Sequence, residues 1–173
     1  MIICGTGHRP KKLGGYGADV ERRLIAYAGT ALDSYKPDMV ISGMALGWDQ
    51  ALAETALLMG IPYTAAIPFV GQGDDWPKLS KARYIELVDK ADRVITVCDV
   101  GYASWKMQKR NEWMVDHSDM VLALWNGSEG GTANCVAYAE KVGKPVVNFW
   151  DGWLELFIKK YGLAPDMIRR GYV

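Results

Sequence analysis

The residues of this sequence best suited to bind an anion lie in a glycine-containing loop, Asn126 to Thr132. The loop follows a continuous apolar run, Met120 to Trp125, and precedes small residues from Ala133 to about Val142 that predict a helix. Gly130 and Gly131 allow the backbone to approach a phosphate, and the threonine after them can cap the helix. Since N–H groups at a helix start attract anions, the pattern predicts a phosphate site; an ordinary strand–helix turn is the alternative.

A second group of glycine and polar residues, Gly5 to Arg9, follows the first apolar run of the chain. Arg9 is predicted to contact a phosphate or ribose, because a guanidinium binds oxyanions through paired donors; a surface salt bridge is the alternative. His8 is predicted either to act as an acid or hydrogen bonder near neutral pH, or to be an oriented structural histidine.

Four further candidate residues lie at a strand end, at a helix start or on the inward face of a helix. Ser42 and Gly43 form a turn after the second predicted strand, and Asp49 lies at the start of the next helix, where it could cap the helix or contact ribose or a metal. Asn111 lies on the inward stripe of a predicted helix. A buried amide must find partners, so Asn111 either braces a loop or touches a ligand.

Two aromatic residues, Trp76 and Tyr102, lie in loops that follow strands. Aromatic faces can stack on a nucleobase, although each of these side chains could instead contribute to packing. No spacing of cysteine, histidine and carboxylate residues predicts a dedicated metal site.

The elements that must position these residues alternate between apolar strands and amphipathic helices, which predicts an α/β, Rossmann-like, doubly wound and mostly parallel sheet flanked by helices. In such sheets ligands bind at the carboxyl ends of the strands, where the polar and glycine residues are concentrated. We expect one domain over residues 1–173, with a core of about 1–150 and a terminal helix and basic tail over 151–173. Trp150, Trp153 and Phe157 are expected to cover the sheet edge or to form a dimer contact.

The composition argues against several classes of protein. Twenty basic residues balance twenty acidic residues, so the chain lacks the basic footprint of a nucleic-acid binder. The three cysteines form no metal or disulfide pattern, which favours free thiols in a reducing compartment. No apolar stretch approaches the roughly 20 residues needed to span a membrane, and no leader precedes the first strand, so a cytoplasmic protein is expected.

Several of these motifs resemble the SLOG superfamily. Ser42 to Ala51 resembles the SGxAxGxD stretch of DNA-processing protein A, and Gly130 to Thr132 followed by a helix is similar to the GGxGT phosphate loop of the Lonely Guy enzymes. The chain most resembles the largely uncharacterised YpsA-like branch, over about Met1 to Val147. The motifs shared with that branch are Gly7-His8-Arg9-Pro10, Pro68-Phe69 with Gln72 and Trp76, Tyr84, and Arg110-Asn111 with Met114-Val115-Asp116.

The resemblance implies a nucleotide or nucleotide-derivative site. Some relatives cleave the N-glycosidic bond of a nucleoside monophosphate, others are sensor domains for NAD-derived signals, and DNA-processing protein A binds single-stranded DNA. Phosphoribohydrolase relatives have a glutamate within about three residues of their Gly-Thr, where this chain has Ala133-Asn134-Cys135. An asparagine cannot act as a general base, so whether the chain is an enzyme stays open, with Glu129, Asp49 and His8 as the catalytic candidates.

We therefore expect the chain to bind a nucleoside monophosphate, ADP-ribose or an NAD-like molecule as a sensor or sequestering protein. The alternatives are an N-glycosidase acting on a nucleoside monophosphate and a single-stranded DNA binder. No cofactor beyond the phosphate-containing ligand is predicted, and a homo-oligomer is left open. The predicted ligand contacts are Gly5, Thr6, Gly7, His8, Arg9, Ser42, Gly43, Asp49, Trp76, Asn111, Asn126, Gly130, Gly131 and Thr132.

Overall fold

The computed structural model describes residues 1–162, in which strands and helices alternate along the chain. The elements in chain order are β1 (Ile2–Gly7), α1 (Ala18–Tyr35), β2 (Met39–Ser42), α2 (Trp48–Leu58), β3 (Tyr63–Ile67), α3 (Lys78–Asp89), β4 (Arg93–Thr96), α4 (Ser104–Asp116), β5 (Met120–Leu124), α5 (Gly131–Lys141), β6 (Val146–Asn148) and α6 (Trp150–Tyr161). A short 3-10 turn at Pro10–Lys12 follows β1.

The strands form one six-stranded sheet in the order β4-β3-β2-β1-β5-β6, and every neighbouring pair is parallel. The chain moves outward from β1 to β4 and then returns to the other side of β1 to form β5. The loops after β1 and β5 therefore lead to opposite faces of the sheet and leave a crevice between them. The predicted α/β, Rossmann-like, doubly wound fold is confirmed.

The sheet separates two apolar cores, as alternating side chains along its strands require. Ile3 of β1 contacts the larger core, which includes buried residues of α1, α2, α3 and α6. Its neighbour Cys4 faces the smaller core, to which α4 and α5 contribute Met114, Val115 and Cys135. Because β5 is buried at all five positions, it has the continuous apolar sequence of a central strand.

The start of α5 differs from the predicted one. Helix α5 begins at Gly131 rather than Ala133, and its N-cap residue is Gly130 with no side-chain cap, so the predicted capping role of Thr132 is wrong.

The aromatic residues of α6 lie inside the molecule. Trp150, Trp153 and Phe157 are buried in the larger core, and the Trp153 ring lies 5.8 Å from that of Tyr27 in α1. They therefore cover the sheet and do not supply the dimer contact that the sequence left open. The predicted basic tail lies outside the described residues. No helix within residues 1–162 is long and apolar enough to cross a membrane.

Candidate functional site

A cavity of about 680 Å³ opens at the switch point, between the carboxyl ends of β1 and β5. This volume lies within the roughly 300–1,000 Å³ of small-molecule sites. We call it the switch-point cavity. Its lining residues are Thr6, Gly7, His8, Arg9, Lys11, Lys12, Tyr16, Ala45, Asp49, Tyr102, Ser104, Met107, Gln108, Arg110, Asn111, Ser128, Glu129, Gly130, Gly131, Thr132 and Asn134.

One wall of the switch-point cavity is the amino terminus of α5. Gly130 adopts φ 137° and ψ −166°, a conformation that favours glycine, and it directs the chain into the helix. The first N–H groups of an α-helix have no intrahelical partner, and no side chain within residues 1–162 caps α5. Asn111 of α4 fixes this turn, since its Nδ2 donates to the Gly131 carbonyl at 3.1 Å. The backbone donors of the turn are therefore held at the cavity wall.

The end of β1 lies directly against α2, and its glycines permit that contact. A Cβ atom at Gly5 would lie 2.3 Å from Leu52 Cδ1, and one at Gly7 would lie 2.5 Å from Trp48 Cβ. Gly7 and Thr6 line the cavity, whereas Gly5 does not. The structure thus places Gly5 in packing rather than at the predicted ligand contact.

His8 joins the loop after β1 to the loop after β5. Its Nε2 lies 2.6 Å from Asn126 Oδ1, which also accepts a hydrogen bond from the Ser128 N–H at 3.0 Å. Burial lowers the pKa of His8, Lys12 lowers it further, and the bond to Asn126 opposes both effects. The ring also contacts Trp150 edge-on at 5.6 Å. These contacts are those of an oriented structural histidine, and Asn126 supports the cavity from outside its lining.

The open side of the cavity carries positive charge. Arg9 is exposed, and within residues 1–162 its guanidinium forms no salt bridge. Lys12 Nζ donates to Ser128 Oγ at 2.5 Å, which places its charge beside the glycine loop. Lys11 also lines the cavity. A negatively charged ligand would meet these groups before it reached α5.

A buried ion pair forms the floor of the cavity. Asp49 Oδ2 and Arg110 Nη1 are 3.7 Å apart, and each side chain is 7% exposed. Burial raises the pKa of Asp49 to about 6, and the positive charge of Arg110 only partly opposes this rise. Burial lowers the pKa of Arg110. Arg110 donates through Nη1 to the Gly43 carbonyl, but its buried Nε has no partner among the described residues.

The turn after β2 supports this ion pair from behind. Ser42 Oγ donates to the Asp49 carbonyl at 2.7 Å and accepts from the Met44 N–H at 3.1 Å. A Cβ atom at Gly43 would overlap the guanidinium of Arg110. Ser42 and Gly43 are not in the cavity lining, so the structure does not bring them to the predicted ligand position.

A second cavity of about 400 Å³ adjoins the first, and we call it the aromatic cavity. The two share Arg9, Tyr102 and Met107 in their linings. Trp76 lines the aromatic cavity only, and its ring lies edge-on to Tyr84 at 5.3 Å. Trp76 is therefore separated from the glycine loop that was predicted beside it in one site.

The three catalytic candidates differ in their exposure and in their partners. Asp49 is buried and paired, His8 is engaged by Asn126, and Glu129 lies on the cavity surface. Asn134 lines the cavity while Cys135 is buried, so the side chain that faces the ligand space after Thr132 is an amide and not a carboxylate. Within residues 1–162, no cluster of three or more His, Cys, Asp or Glu side chains could hold a metal ion.

Three basic residues of the cavity, Arg110, Lys11 and Lys12, are absent from the predicted contacts. A signal for Arg110 existed, because it precedes Met114 by four residues on the inward stripe of α4, where a charge needs a partner. The two lysines had no such signal. Their position depends on the 3-10 turn that follows β1.

Known proteins share this fold and parts of this sequence. The chain is 35% identical over 117 residues to the uncharacterized SPbeta prophage-derived protein YoqJ of Bacillus subtilis (strain 168), covering 58% of this chain and 68% of YoqJ. DNA processing protein A from Helicobacter pylori, which has a unique single-stranded DNA binding mode, superposes with a TM-score of 0.60 and 19% identity. That match covers 86% of this chain and 64% of the other, so this chain spans less than two thirds of its length.

The molybdenum cofactor carrier protein from Chlamydomonas reinhardtii is a further structural neighbour, with a TM-score of 0.57 and 20% identity; the match covers 93% of this chain and 84% of the other. At these identities the structures show a common fold. The model of the YspA SLOG family matches residues 3–144, which is most of the chain. The resemblance of the motifs to the SLOG superfamily is thereby confirmed, and the chain belongs to the YspA SLOG family.

Proposed function

We propose that the chain binds a small nucleotide or nucleotide derivative in the switch-point cavity, with a phosphate group at the amino terminus of α5. The observation that carries this proposal is the uncapped first turn of α5, which opens onto the cavity beside basic side chains. Backbone N–H groups and the helix dipole together favour an anion at this place. Arg110 also lines the cavity, and its Nε–H, which has no partner within residues 1–162, is a second and independent hydrogen-bond donor for an anion there.

Binding without turnover is the role that the residues support best. The amide of Asn134 can donate to a ribose or phosphate oxygen but cannot remove a proton from water. Asp49 is occupied by Arg110, and His8 by Asn126. The protein would then act as a sensor or sequestering protein for a nucleoside monophosphate, ADP-ribose or an NAD-like molecule. Its three free cysteines support a reducing compartment such as the cytoplasm.

Substitution of Gly131 tests the phosphate position. A Cβ atom at Gly131 would meet no atom of the described residues within 4 Å, so Gly131→Asp fits the fold and places a carboxylate where the phosphate would lie. We expect calorimetric titration with AMP, ADP-ribose, NAD and inorganic phosphate to show binding by the natural protein and none by the variant. Unchanged affinity in Gly131→Asp would contradict the proposal.

Gly17→Asp is the matched control for that experiment. Gly17 is the N-cap of α1 with φ −73°, its Cβ direction is open, and it lines neither the switch-point cavity nor the aromatic cavity. The same charge change at a different helix terminus should leave ligand affinity unaltered. A loss of binding in both variants would indicate an effect of net charge and not of the site.

An N-glycosidase is the second candidate, because the carboxylates of Asp49 and Glu129 both line the switch-point cavity. Such an enzyme would release free base from a nucleoside monophosphate. We expect no release from AMP, GMP, CMP or UMP at high protein concentration. Release that is lost in Asp49→Asn or Glu129→Gln would replace the sensor proposal with hydrolysis.

A further inference from the structure

The aromatic cavity has walls that are fixed before any ligand binds. The loop between β3 and α3 is held by Gln72, whose Nε2 donates to the Gly43 carbonyl at 3.1 Å. Within the loop, the N–H groups of Asp74 and Trp76 donate to the carbonyls of Gly71 and Gly73 at 3.0 and 3.2 Å. The contact of Trp76 with the Tyr84 ring orients the indole. A preformed wall binds without the cost of ordering a loop.

The opposite wall of the aromatic cavity is held by a buried lysine. Lys106 Nζ donates at 3.0 Å to each of the carbonyls of Asp99, Val100 and Gly101, the residues directly before Tyr102. Lys106 also forms a salt bridge with Asp99 at 2.7 Å. The loop that carries Tyr102 is thus tied to α4, although the Tyr102 side chain itself is 73% exposed.

The two cavities differ in charge and in surface chemistry. The switch-point cavity has the α5 terminus and basic side chains, whereas the aromatic cavity has three aromatic rings, Phe69, Trp76 and Tyr102, with Asp74 and Asp75. Asp74 is paired with Lys81 at 2.8 Å. An anion is therefore favoured in the first cavity, and an aromatic group that donates hydrogen bonds is favoured in the second.

Tyr102 lies where the cavities join. It lines both cavities and contacts Phe69 edge-on, with ring centroids 5.9 Å apart. Its exposed face is available to a planar group that extends from the switch-point cavity. Arg9, also common to both linings, stands beside this passage.

From this arrangement we propose that the aromatic cavity is the base subsite of a nucleotide whose phosphate binds at α5. The base stacks on Tyr102, and the carboxylate of Asp75 accepts a hydrogen bond from an exocyclic amine or a ribose hydroxyl. This inference rests on the proposed function, because it takes the phosphate position from it. With a base subsite, the protein would distinguish a nucleotide from a sugar phosphate.

The test compares AMP, GMP, CMP and UMP with ribose 5-phosphate by calorimetric titration. At least one nucleotide should bind about fivefold or more tightly than ribose 5-phosphate, since stacking on one aromatic ring contributes that much. The preference should disappear in Tyr102→Ala, while affinity for ribose 5-phosphate stays within about twofold, and it should return in Tyr102→Phe, which keeps the ring. Trp105→Ala removes an exposed aromatic residue outside both cavities and should change neither affinity.

Three other results would contradict the base subsite. Equal affinities of all four nucleotides and ribose 5-phosphate would overturn the base subsite and leave the phosphate proposal standing. A nucleotide preference that survives in Tyr102→Ala would place the base elsewhere. Absence of binding by every probe, ribose 5-phosphate included, would overturn the proposed function and this inference with it.

Discussion

His8 shows how one side chain can hold two loops of a switch-point site. It bonds to Asn126 across 118 residues of sequence and thereby connects the ends of β1 and β5. A histidine after a glycine turn was consistent with either acid–base or structural chemistry. The choice between them depends on Asn126, whose proximity no local pattern could predict.

A pH-dependent stability follows from the lowered pKa of His8. Since burial holds the pKa below the ordinary value of 6.5, the folded state keeps the ring neutral while the unfolded state takes up a proton. The stabilisation is present above pH 6.5 and is lost as the pH falls through the folded-state pKa. We expect the free energy of unfolding of the natural protein relative to His8→Gln to shrink between pH 7.5 and pH 5, measured by urea denaturation. A constant difference would contradict this.

Asp49 should produce the opposite dependence. Its pKa rises from 3.8 to about 6 on folding, so the stability that its protonated form supplies is present below pH 4 and lost as the pH rises to about 6. The loss amounts to about 3 kcal/mol by the usual conversion. Relative to Asp49→Asn, the natural protein should therefore become less stable across this range. An increase would mean that attraction to Arg110 outweighs the cost of burial.

Helix α5 was predicted from the sequence, but its first residue was not. Strand β5 and the helix after it were predicted because an apolar run and a small-residue run adjoin a glycine loop. The start of the helix was placed two residues late, since glycine was assigned to the loop. In the structure Gly131 is already the first residue of the helix, so the first turn of α5 includes part of the glycine loop.

The two glycines of this turn should respond differently to the same substitution. Gly131 has an open Cβ direction and helical backbone, so Gly131→Ala should stabilise the protein by about 0.5 kcal/mol. Gly130 has φ 137°, and Gly130→Ala should destabilise it by about 1 kcal/mol or more. Chemical denaturation of the two variants checks both signs. Equal effects would show that the turn does not have this conformation in solution.

The start of the turn between β2 and α2 lies behind the site and not in its lining. Ser42 and Gly43 were assigned to the ligand because they stand at a strand end. They instead support Asp49 and Arg110, and the Arg110–Gly43 bond spans 67 residues. The sequence correctly placed Ser42 and Gly43 at the carboxyl ends of the strands. Whether a residue faces the cavity or stands behind it depends on such tertiary contacts.

The whole molecule explains why the site lies where it does. The order of the strands makes β1 and β5 neighbours whose following helices pack on opposite faces of the sheet, and the switch-point cavity opens between their carboxyl ends. The aromatic cavity lies beside it, between the loops that follow β3 and β4. The alternation of strands and helices in the sequence was sufficient to predict this architecture. It could not predict that the switch-point cavity and the aromatic cavity adjoin, because the side chains shared by their linings, Arg9, Tyr102 and Met107, come from different loops and from α4.

Ligand binding should stabilise the whole fold. A nucleotide that binds only the native state contributes about 2.7 kcal/mol when present at 100 times its dissociation constant. We expect AMP or ADP-ribose to raise the midpoint of thermal unfolding of the natural protein, and to leave that of Gly131→Asp unchanged. A rise of equal size in both would place the ligand outside the α5 terminus.

The most direct test of phosphate binding at α5 is a nuclear magnetic resonance titration that follows the backbone amides of Gly131, Thr132 and Ala133. If a phosphate accepts hydrogen bonds from the first turn of α5, these resonances should move in a saturable manner with both inorganic phosphate and AMP. If they stay fixed while other resonances report that AMP binds, the phosphate does not lie at α5, and the proposed site is wrong.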